Sequence, residues 1–246
     1  MQMLKRVVIK LSGEAIGNEN GYNDLMIDSI VRQVILLVRA RMQIAIVIGG
    51  GNYWRGRDSA PELDRVKSDQ IGMLATVMNA LYLQDAFRRQ GQKAQVLTPI
   101  TMGNMTQLYN KDDSIDMMLD GTVLINAAGT GHPFFSTDTI TALRAAELEA
   151  DCILFAKNTD GVYDSDPVKN PSAKKYRTLN YRTAITQNLN VMDMAALHLA
   201  LEAEIPSYVF LLATPKSITL AGSYPETGNL NGTYIGFNAI ELWHED

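Results

Sequence analysis

Three consecutive glycines, Gly49 to Gly51, follow an apolar stretch and are followed closely by Arg55. Glycine loses more backbone freedom on folding than any other residue, so a triplet is unfavourable to order unless the structure requires it. One explanation is a tight turn between a strand and a helix, in which glycines adopt positive φ angles. The other is a close approach of backbone amides to an anion, with the arginine adding a positive charge. Either explanation fits the pattern.

Lys10 stands near the end of the first apolar run and is followed by Ser12 and Gly13. A lysine there could simply reach solvent along its aliphatic stem. It could also place a point charge on the outer phosphates of a nucleotide, with the serine hydroxyl and the glycine amide donating hydrogen bonds to the same oxygens. The second interpretation predicts a phosphate site after the first strand.

The segment TGHPFFSTD, residues 130–138, places polar side chains around a rigid Pro-Phe-Phe. Its ordinary interpretation is the start of a helix, with Pro133 forming a turn and Thr137 capping the helix. Because helix N-termini attract anions, Thr137 could instead hold a phosphate while backbone groups upstream of it recognise a base. We interpret His132 as a polar loop residue, since three scattered histidines do not suggest a metal site.

Asp69 and Asp193 each precede a helical pattern, where capping is the ordinary role of an aspartate. Asp69 could instead accept hydrogen bonds from both hydroxyls of a ribose, and Asp193 could hold nearby lysines in place. No Ser/His/Asp or Cys/His arrangement supports nucleophilic catalysis. The phosphate signatures GxxxxGK (followed by Ser or Thr) and GxGxxG are also absent from the sequence, which argues against a P-loop enzyme and a dinucleotide-dependent dehydrogenase.

The elements that must position these residues alternate between short apolar runs and longer amphipathic segments. Near-continuous runs of Val, Ile and Leu are typical of strands buried on both faces. They predict strands at 6–11, 44–48, 94–97, 123–126, 152–156 and 208–212. Helical spacing predicts helices over 27–38, over 71–81, from a cap at Thr137 or Asp138 to Glu149, and over 192–204.

Strands separated by helices of this length predict right-handed crossovers and one α/β domain over residues 1–246, with a mainly parallel sheet covered on both sides. In such sheets, ligands bind beyond the carboxyl ends of the strands. Four of the loops at that edge carry glycine, hydroxyl groups, lysine, arginine and aspartate. The occurrence of such residues in four loops at one edge indicates a ligand site more strongly than any single motif does. The loop 160–175 is too long for a simple connection and is predicted to be functional or projecting.

The composition is that of a globular protein: of 246 residues, 46% are hydrophobic and 20% charged. A net charge of -5 argues against a nucleic-acid binder that relies on a broad basic field. Cys152 is the only cysteine, so no intrachain disulfide forms, and its apolar surroundings favour a small buried residue over a nucleophile. No signal peptide or membrane span is predicted, and we expect a cytoplasmic protein.

Six segments together resemble the bacterial and archaeal uridylate kinases of the amino acid kinase family. They are KLSGEA, GGGNYWRG, DQIGMLATVMNAL, AGTGHPFFSTD, DGVYDSDP and NVMDMAAL, in the family's order and spacing, from the start of the chain to about residue 201. The resemblance implies ATP-dependent phosphorylation of UMP to UDP in pyrimidine biosynthesis, with Mg²⁺, on a three-layer αβα sandwich. It also implies a homohexamer, with GTP and UTP as possible effectors.

The resemblance further implies roles for individual residues, with no side chain assigned to a metal. The N-terminal part would lie mainly on the UMP side and the C-terminal part mainly on the ATP side. Catalytic positions would be Lys10, Asp138 and Asp193. ATP contacts would be Lys10, Leu11, Ser12, Gly13, Gly51, Arg55, Lys157, Asn158, Tyr163 and Asp166. UMP contacts would be Gly50, Arg55, Asp69, Thr130, Gly131, His132, Pro133, Phe134, Phe135, Ser136 and Thr137.

The chain departs from the family pattern in three places. His132 stands where related enzymes usually have asparagine near the uracil, which bears on tolerance for CMP. The segment AKNTDGVY is one residue shorter than the related form, so the roles of Lys157 and Asn158 stay open, and the tail beyond residue 211 is only loosely similar. Two alternatives also stay open: a kinase for a carbamate or an acylglutamate, and a UMP-binding regulator without catalysis.

Overall fold

The computed structural model describes residues 4–19, 21–56, 62–223 and 231–244. The part of the tail at 224–230 lies outside the described residues. The strands are β1 (Arg6–Leu11), β2 (Gly17–Asn18), β3 (Gly21–Tyr22), β4 (Gln43–Ile48), β5 (Ala94–Thr98), β6 (Gln107–Leu108), β7 (Val123–Asn126), β8 (Cys152–Lys157), β9 (Val162–Tyr163), β10 (Lys175–Asn180), β11 (Ser207–Leu211), β12 (Thr233–Gly236) and β13 (Leu242–Trp243). The helices are α1 (Gly13–Ile16), α2 (Asp24–Arg39), α3 (Arg65–Arg89), α4 (Lys111–Leu119), α5 (Thr137–Glu147), α6 (Tyr181–Thr186), α7 (Met194–Glu202) and α8 (Ser217–Gly222).

The large sheet has the strand order β13-β10-β12-β11-β8-β1-β4-β7-β5-β6, with β9 beside β10, while β2 and β3 form a separate hairpin. Its central pairs, from β11–β8 through β5–β7, are all parallel. Antiparallel pairing occurs towards one end, at β11–β12, β10–β9 and β10–β13. The predicted, mainly parallel sheet is therefore confirmed, and each of the six predicted strands is present to within one residue at either end.

The alternation of side chains along β1 shows how the sheet divides two cores. Val7, Ile9 and Leu11 point into a core shared with α2, α3 and α8. Val8 points into the opposite core, which contains α4, α5, α6 and α7. Lys10 lies two residues beyond Val8, so its side chain leaves the sheet on the face covered by α5. Helices on both faces confirm the three-layer αβα sandwich.

Of three helix starts for which capping was considered, two differ from the ordinary interpretation. Ser136, rather than Thr137 or Asp138, caps α5, and the helix ends at Glu147. Asp69 does not cap a helix, because α3 begins four residues earlier with Asp64 as its N-cap. Residues 65–68 are mostly polar, so apolar periodicity gave no sign of that first turn. Asp193 caps α7, as the ordinary interpretation predicts.

The predicted long loop projects from the sheet. After β9, which pairs with the start of β10, residues 164–172 are all exposed. Cys152 is buried at the start of β8, and burial raises the pKa of its thiol to about 12, which fits an inert core residue. None of the helices in the described ranges combines the length and the apolar character that a membrane crossing requires.

Candidate active site

A cleft of about 610 Å³ lies at the carboxyl edge of the sheet. The loops after β1, β4 and β7 line it, together with one side of α3 and the N-terminus of α5. The predicted site residues that it brings together are Lys10, Ser12, Gly13, Gly50, Gly51, Arg55, Asp69, His132, Phe134, Phe135, Ser136, Thr137 and Asp138. Predicted site residues outside its lining are Leu11, Thr130, Gly131, Pro133, Lys157, Asn158, Tyr163, Asp166 and Asp193.

Asp138 lies between two lysines that come from neighbouring strands. Its Oδ1 is 3.1 Å from Lys10 Nζ, and its Oδ2 is 3.8 Å from Lys157 Nζ. Lys157 also donates a hydrogen bond to the carbonyl oxygen of Val191. Burial lowers the pKa of Lys157, and the charge of Lys10 acts in the same direction, while Asp138 and Asp193 oppose the shift. Two lysine ammonium groups therefore lie beside the single carboxylate of Asp138.

Asp138 Oδ1 keeps unused hydrogen-bonding capacity. It is buried, and among the described residues its contact with Lys10 is an ion pair without hydrogen-bond geometry. A buried carboxylate oxygen in this state can accept a further donor or approach a cation. Asp138 follows the capping residue Ser136 by two positions, so the start of α5 fixes its place in the cleft.

Asp193 ties the start of α7 to the start of α5. Its carboxylate accepts hydrogen bonds from the Ala196 amide at 2.8 Å, from the Thr139 hydroxyl at 2.8 and 3.0 Å, and from the Ser136 hydroxyl. Burial is the largest influence on its pKa and raises it, but the hydrogen bonds from Ser136, Ala196 and Thr139 together leave the pKa below its ordinary value. Asp193 lies outside the cleft lining, and its contacts reach the cleft only through the start of α5.

The glycine triplet does not adopt the positive φ angles that the turn explanation requires. A Cβ atom on Gly50 would lie 2.8 Å from the Cβ of Ala75 and 2.9 Å from the carbonyl oxygen of Gly72, both on α3. A Cβ atom on Gly13 would lie 2.6 Å from the amide nitrogen of Gly51. Close packing between two loops and a helix therefore requires glycine at positions 50 and 13.

Asn79, on α3, holds the loop that follows β4 by hydrogen bonds. Its buried Nδ2 donates to the carbonyl oxygen of Gly49 at 2.7 Å and to Asn52 Oδ1 at 2.7 Å. Asn52 Nδ2 returns a hydrogen bond of 3.0 Å to Asn79 Oδ1. The predicted helix over 71–81 contains Asn79, but no role was predicted for it, although an asparagine within an apolar helical face is a signal of a polar role.

Arg55 joins the loops that follow β1 and β4. Its Nη2 lies 2.9 Å from Glu14 Oε1, and its Nε donates to the carbonyl oxygen of Gly51 at 3.3 Å. Both charged side chains are more than a third exposed, so the guanidinium can exchange this carboxylate for another anion. Glu14 was not among the predicted site residues, and its pairing with Arg55 across 41 positions has no local sequence signal.

Asp69 clamps the loop after β7 to α3. Its Oδ2 accepts a 2.8 Å hydrogen bond from the Phe134 amide, and both of its oxygens lie 3.0 Å from Arg65 Nε. The guanidinium carbon of Arg65 lies 5.4 Å from the centre of the Phe134 ring. Phe134 has φ of 71°, a conformation that is uncommon for a bulky residue, so the clamp holds a strained backbone. Arg65 was missed, although its spacing of four from Asp69 on a helix is a recognisable pattern.

The same loop has two further attachments. The Ala128 amide donates to Thr76 Oγ1 on α3 at 2.7 Å. The Thr130 hydroxyl accepts a 3.2 Å hydrogen bond from the His132 amide, which closes a local turn. Contacts within the protein thus attach the segment that was predicted to surround UMP to α3 and close a turn within it.

Two of the predicted ATP contacts, Tyr163 and Asp166, lie outside the lining of this cleft. Tyr163 donates to Asp160 Oδ1 at 2.8 Å, and burial together with Asp160 raises its pKa to about 12. Burial acts to raise the pKa of Asp160, but hydrogen bonds from Lys175 and Tyr163 lower it overall. Asp166 lies on the exposed projecting loop and accepts a hydrogen bond from the Val168 amide at 2.9 Å.

The comparisons with known proteins agree with one another. The family model described as "Amino acid kinase family" matches residues 5–211. A uridylate kinase from Magnetococcus marinus is 46% identical over 218 residues, which are 87% of this chain and 90% of the relative. The crystal structure of a UMP kinase from Bacillus anthracis is 35% identical with a TM-score of 0.92, covering 99% of this chain and 100% of the other. The UMP kinase structure from Ureaplasma parvum is 34% identical with a TM-score of 0.88, covering 96% and 100% of the two chains.

Proposed function

Because the chain belongs to the amino acid kinase family, we propose that it transfers the γ-phosphoryl group of ATP to UMP. A phosphate oxygen of UMP attacks the γ-phosphorus, the bond from that phosphorus to the bridging oxygen breaks, and UDP and ADP result. The observation that carries the proposal is the cleft in which Lys10, Asp138, Arg55 and the start of α5 converge. The names of the relatives support the choice of UMP.

Phosphoryl transfer requires in-line placement and neutralisation of charge more than covalent chemistry. Both reactants are anionic, so their approach is opposed by repulsion. Lys10 and the amides at the start of α5 stabilise the transferred group, and Arg55 can grip a phosphate with two nitrogens, which a lysine cannot. We assign Asp138 to orienting Lys10, and Asp193 to positioning α5.

We place UMP between α3 and the loop after β7, with its ribose on Asp69. Because Asp69 already holds the Phe134 amide and Arg65, ribose hydroxyls would use the carboxylate's remaining lone pairs. We place ATP over the loops that follow β1 and β8, with its adenosine towards Tyr163 and Asp166. Residues Ser12, Gly13 and Gly51 then contact its phosphates.

We propose that Mg²⁺ enters with ATP. Within the described ranges, no group of three His, Cys, Asp or Glu side chains could hold a metal ion. This fits an ion whose ligands are mainly phosphate oxygens and water, with at most one or two carboxylates. We assign to Asp138, whose Oδ1 has no hydrogen-bond partner among the described residues, the contact with such an ion or its water. When bound, the ion neutralises charge on the phosphates.

An acceptor panel tests the proposal. ADP release is coupled to an optical readout and measured with UMP, CMP, acetylglutamate and carbamate. We expect turnover with UMP and at least 10-fold less with the two carboxylic acceptors, since these cannot use Asp69 and the Phe134 loop. Turnover only with acetylglutamate or carbamate would overturn the choice of acceptor. Binding of UMP by calorimetry without ADP release would favour the UMP-binding regulator.

We further propose a homohexamer that responds to GTP and UTP and acts in pyrimidine biosynthesis in the cytoplasm. Three apolar side chains on the outer side of α3, Ile71, Leu74 and Met78, are at least 38% exposed, which supports packing between copies. Light scattering after size exclusion measures the assembly, and rates with added GTP or UTP measure the response. A monomer would contradict the assembly without affecting the proposed reaction.

A further inference from the structure

Asn126, the last residue of β7, carries an unpaired acceptor at the floor of the cleft. Its side chain is only 3% exposed and lines the cleft. Its Nδ2 donates to the carbonyl oxygen of Ile46 at 3.3 Å. Its Oδ1 is buried and has no hydrogen-bond partner among the described residues. Such groups are rare in folded proteins and call for a partner.

The register places this amide on the reacting face of the sheet. Asn126 pairs with Val47, and Val47 pairs with Lys10 on the next strand. Leu124 and Val47 point into the core beneath α5, so Asn126 and Lys10 leave the sheet on that same side. Two strand spacings put their Cα atoms about 10 Å apart. Asn126 therefore lies on the acceptor side of Lys10.

The orientation of the amide determines what it can bind. Reversing it would place Oδ1 against the carbonyl oxygen of Ile46, two acceptors facing each other, so the Nδ2 contact fixes Oδ1 as the free atom. A carbonyl oxygen accepts hydrogen bonds and does not donate them. Phosphate oxygens that carry no proton are acceptors too and cannot satisfy it. The partner must therefore carry an N–H or O–H group, and those of a nucleotide outside its phosphate are neutral.

We propose that Asn126 Oδ1 accepts a hydrogen bond from a neutral donor of the acceptor nucleotide and thereby helps to select it. The inference rests on the proposed function, in which UMP occupies this side of the cleft. UMP has two kinds of neutral donor: the N3–H of uracil and the ribose hydroxyls. Cytosine has a lone pair at N3, so contact at the ring would also disfavour CMP.

Substrate analogues crossed with one variant test the proposal. The variant is Asn126→Leu, which keeps the shape of the side chain and removes the carbonyl. The analogues are 3-deaza-UMP, which has C–H in place of N3–H, and 2′-deoxy-UMP and 3′-deoxy-UMP. In the wild-type protein we expect the analogue that lacks the partner to lose about 10-fold in kcat/KM. In Asn126→Leu that loss shrinks to about 2-fold or less, and the analogue concerned identifies the donor.

Gln84→Leu is the matched control, because Gln84 is also a buried amide that donates to a backbone carbonyl, that of Ala94, but lies outside the cleft lining. We expect Gln84→Leu to lower the Tm and to keep every analogue penalty of the wild type. Asn126→Leu should retain the wild-type Tm or exceed it, and UMP should raise its Tm less than it raises that of the wild type.

Equal analogue penalties in the wild type and Asn126→Leu would overturn the inference, as would a lower Tm with an unchanged response to UMP. If the wild type binds UMP but does not phosphorylate it, the proposed function fails. The same analogue comparison by calorimetric Kd then still decides the role of Asn126.

Discussion

The proposed acceptor side and the proposed donor side of the site differ in how firmly contacts within the protein hold them in place. On the proposed acceptor side, Asp69, Thr76 and Asn79 of α3 each hold a backbone group of a cleft loop. On the donor side, Asn158 is exposed and Asp166 lies on a loop that is exposed throughout residues 164–172. If these halves bind as proposed, the acceptor side is preorganised by the protein, while the donor side depends more on contacts with the nucleotide itself. Lys10 and Asp138 stand between the two halves.

Removal of the Lys10 ammonium group, which lies between the two halves of the site, should have the largest effect on turnover. We expect Lys10→Ala to lower kcat by about 100- to 1,000-fold, because its charge acts on the transferred phosphoryl group in the transition state. The Kd values for UMP and ATP should change far less. Steady-state kinetics and calorimetry measure both. A Kd change as large as the change in kcat would show that Lys10 belongs to ground-state binding.

Arg55→Ala should weaken UMP binding by about 10- to 150-fold, the range for a hydrogen bond to a charged group. Glu14→Gln is the companion variant. Glu14 Oε1 lies 2.9 Å from Arg55 Nη2 and adds negative charge beside the cleft. We expect this second variant to bind UMP more tightly than the wild type. Equal weakening in both variants would mean that the ion pair, rather than a guanidinium released to the phosphate, supports binding.

The Asp69 clamp tests whether the acceptor side is independent of the donor side. We expect Asp69→Asn to raise the KM for UMP about 10-fold, through loss of a charged acceptor, and to change the KM for ATP less than 2-fold. Arg65→Met should raise the KM for UMP only about 2-fold, since an exposed pair four residues apart on a helix contributes about 0.3–0.5 kcal/mol. A similar rise in the KM for ATP would remove the distinction between the halves.

The smallest effect should be the pH dependence that comes from Asp193. Its pKa in the folded protein lies below the ordinary value, so its stabilising contribution is present above that ordinary value and is lost as the pH falls through the folded pKa. Below pH 4, the wild type should therefore lose more of its free energy of unfolding than Asp193→Asn does. Denaturant unfolding at pH 3 to 7 measures the difference, and parallel curves would contradict the assignment.

The central fold could be predicted because its strands are continuous apolar runs, as in β4 and β8. The strands that were missed are short or mixed with polar residues, such as β10 with the sequence KYRTLN. Packing at the end of the sheet, rather than local pattern, makes them strands. The start of α5 was misplaced because Ser136, Thr137 and Asp138 are all capping residues, and only the backbone conformation distinguishes them.

In the site, the residue pattern predicted Lys10 and the family resemblance implied Asp138, and the structure brings their charged atoms to 3.1 Å. Glu14 and Asn126 were missed because their importance arises from partners far away in the chain. The glycine triplet was recognised as unusual. The reason for glycine there is close contact with α3 and Gly13, which no local sequence pattern reveals.

Helix α3 reaches the cleft loops at several levels along one rod. Between Asp69 and Asn79 the helix rises about 15 Å, and along that length it meets the backbone of the loops after both β4 and β7. Because the helix is rigid, a shift of α3 relative to one loop also changes its contacts with the other loop. The alignment of the two loops in the proposed acceptor pocket therefore depends on the position of this one helix. A partner that binds the apolar outer side of α3 would set that position.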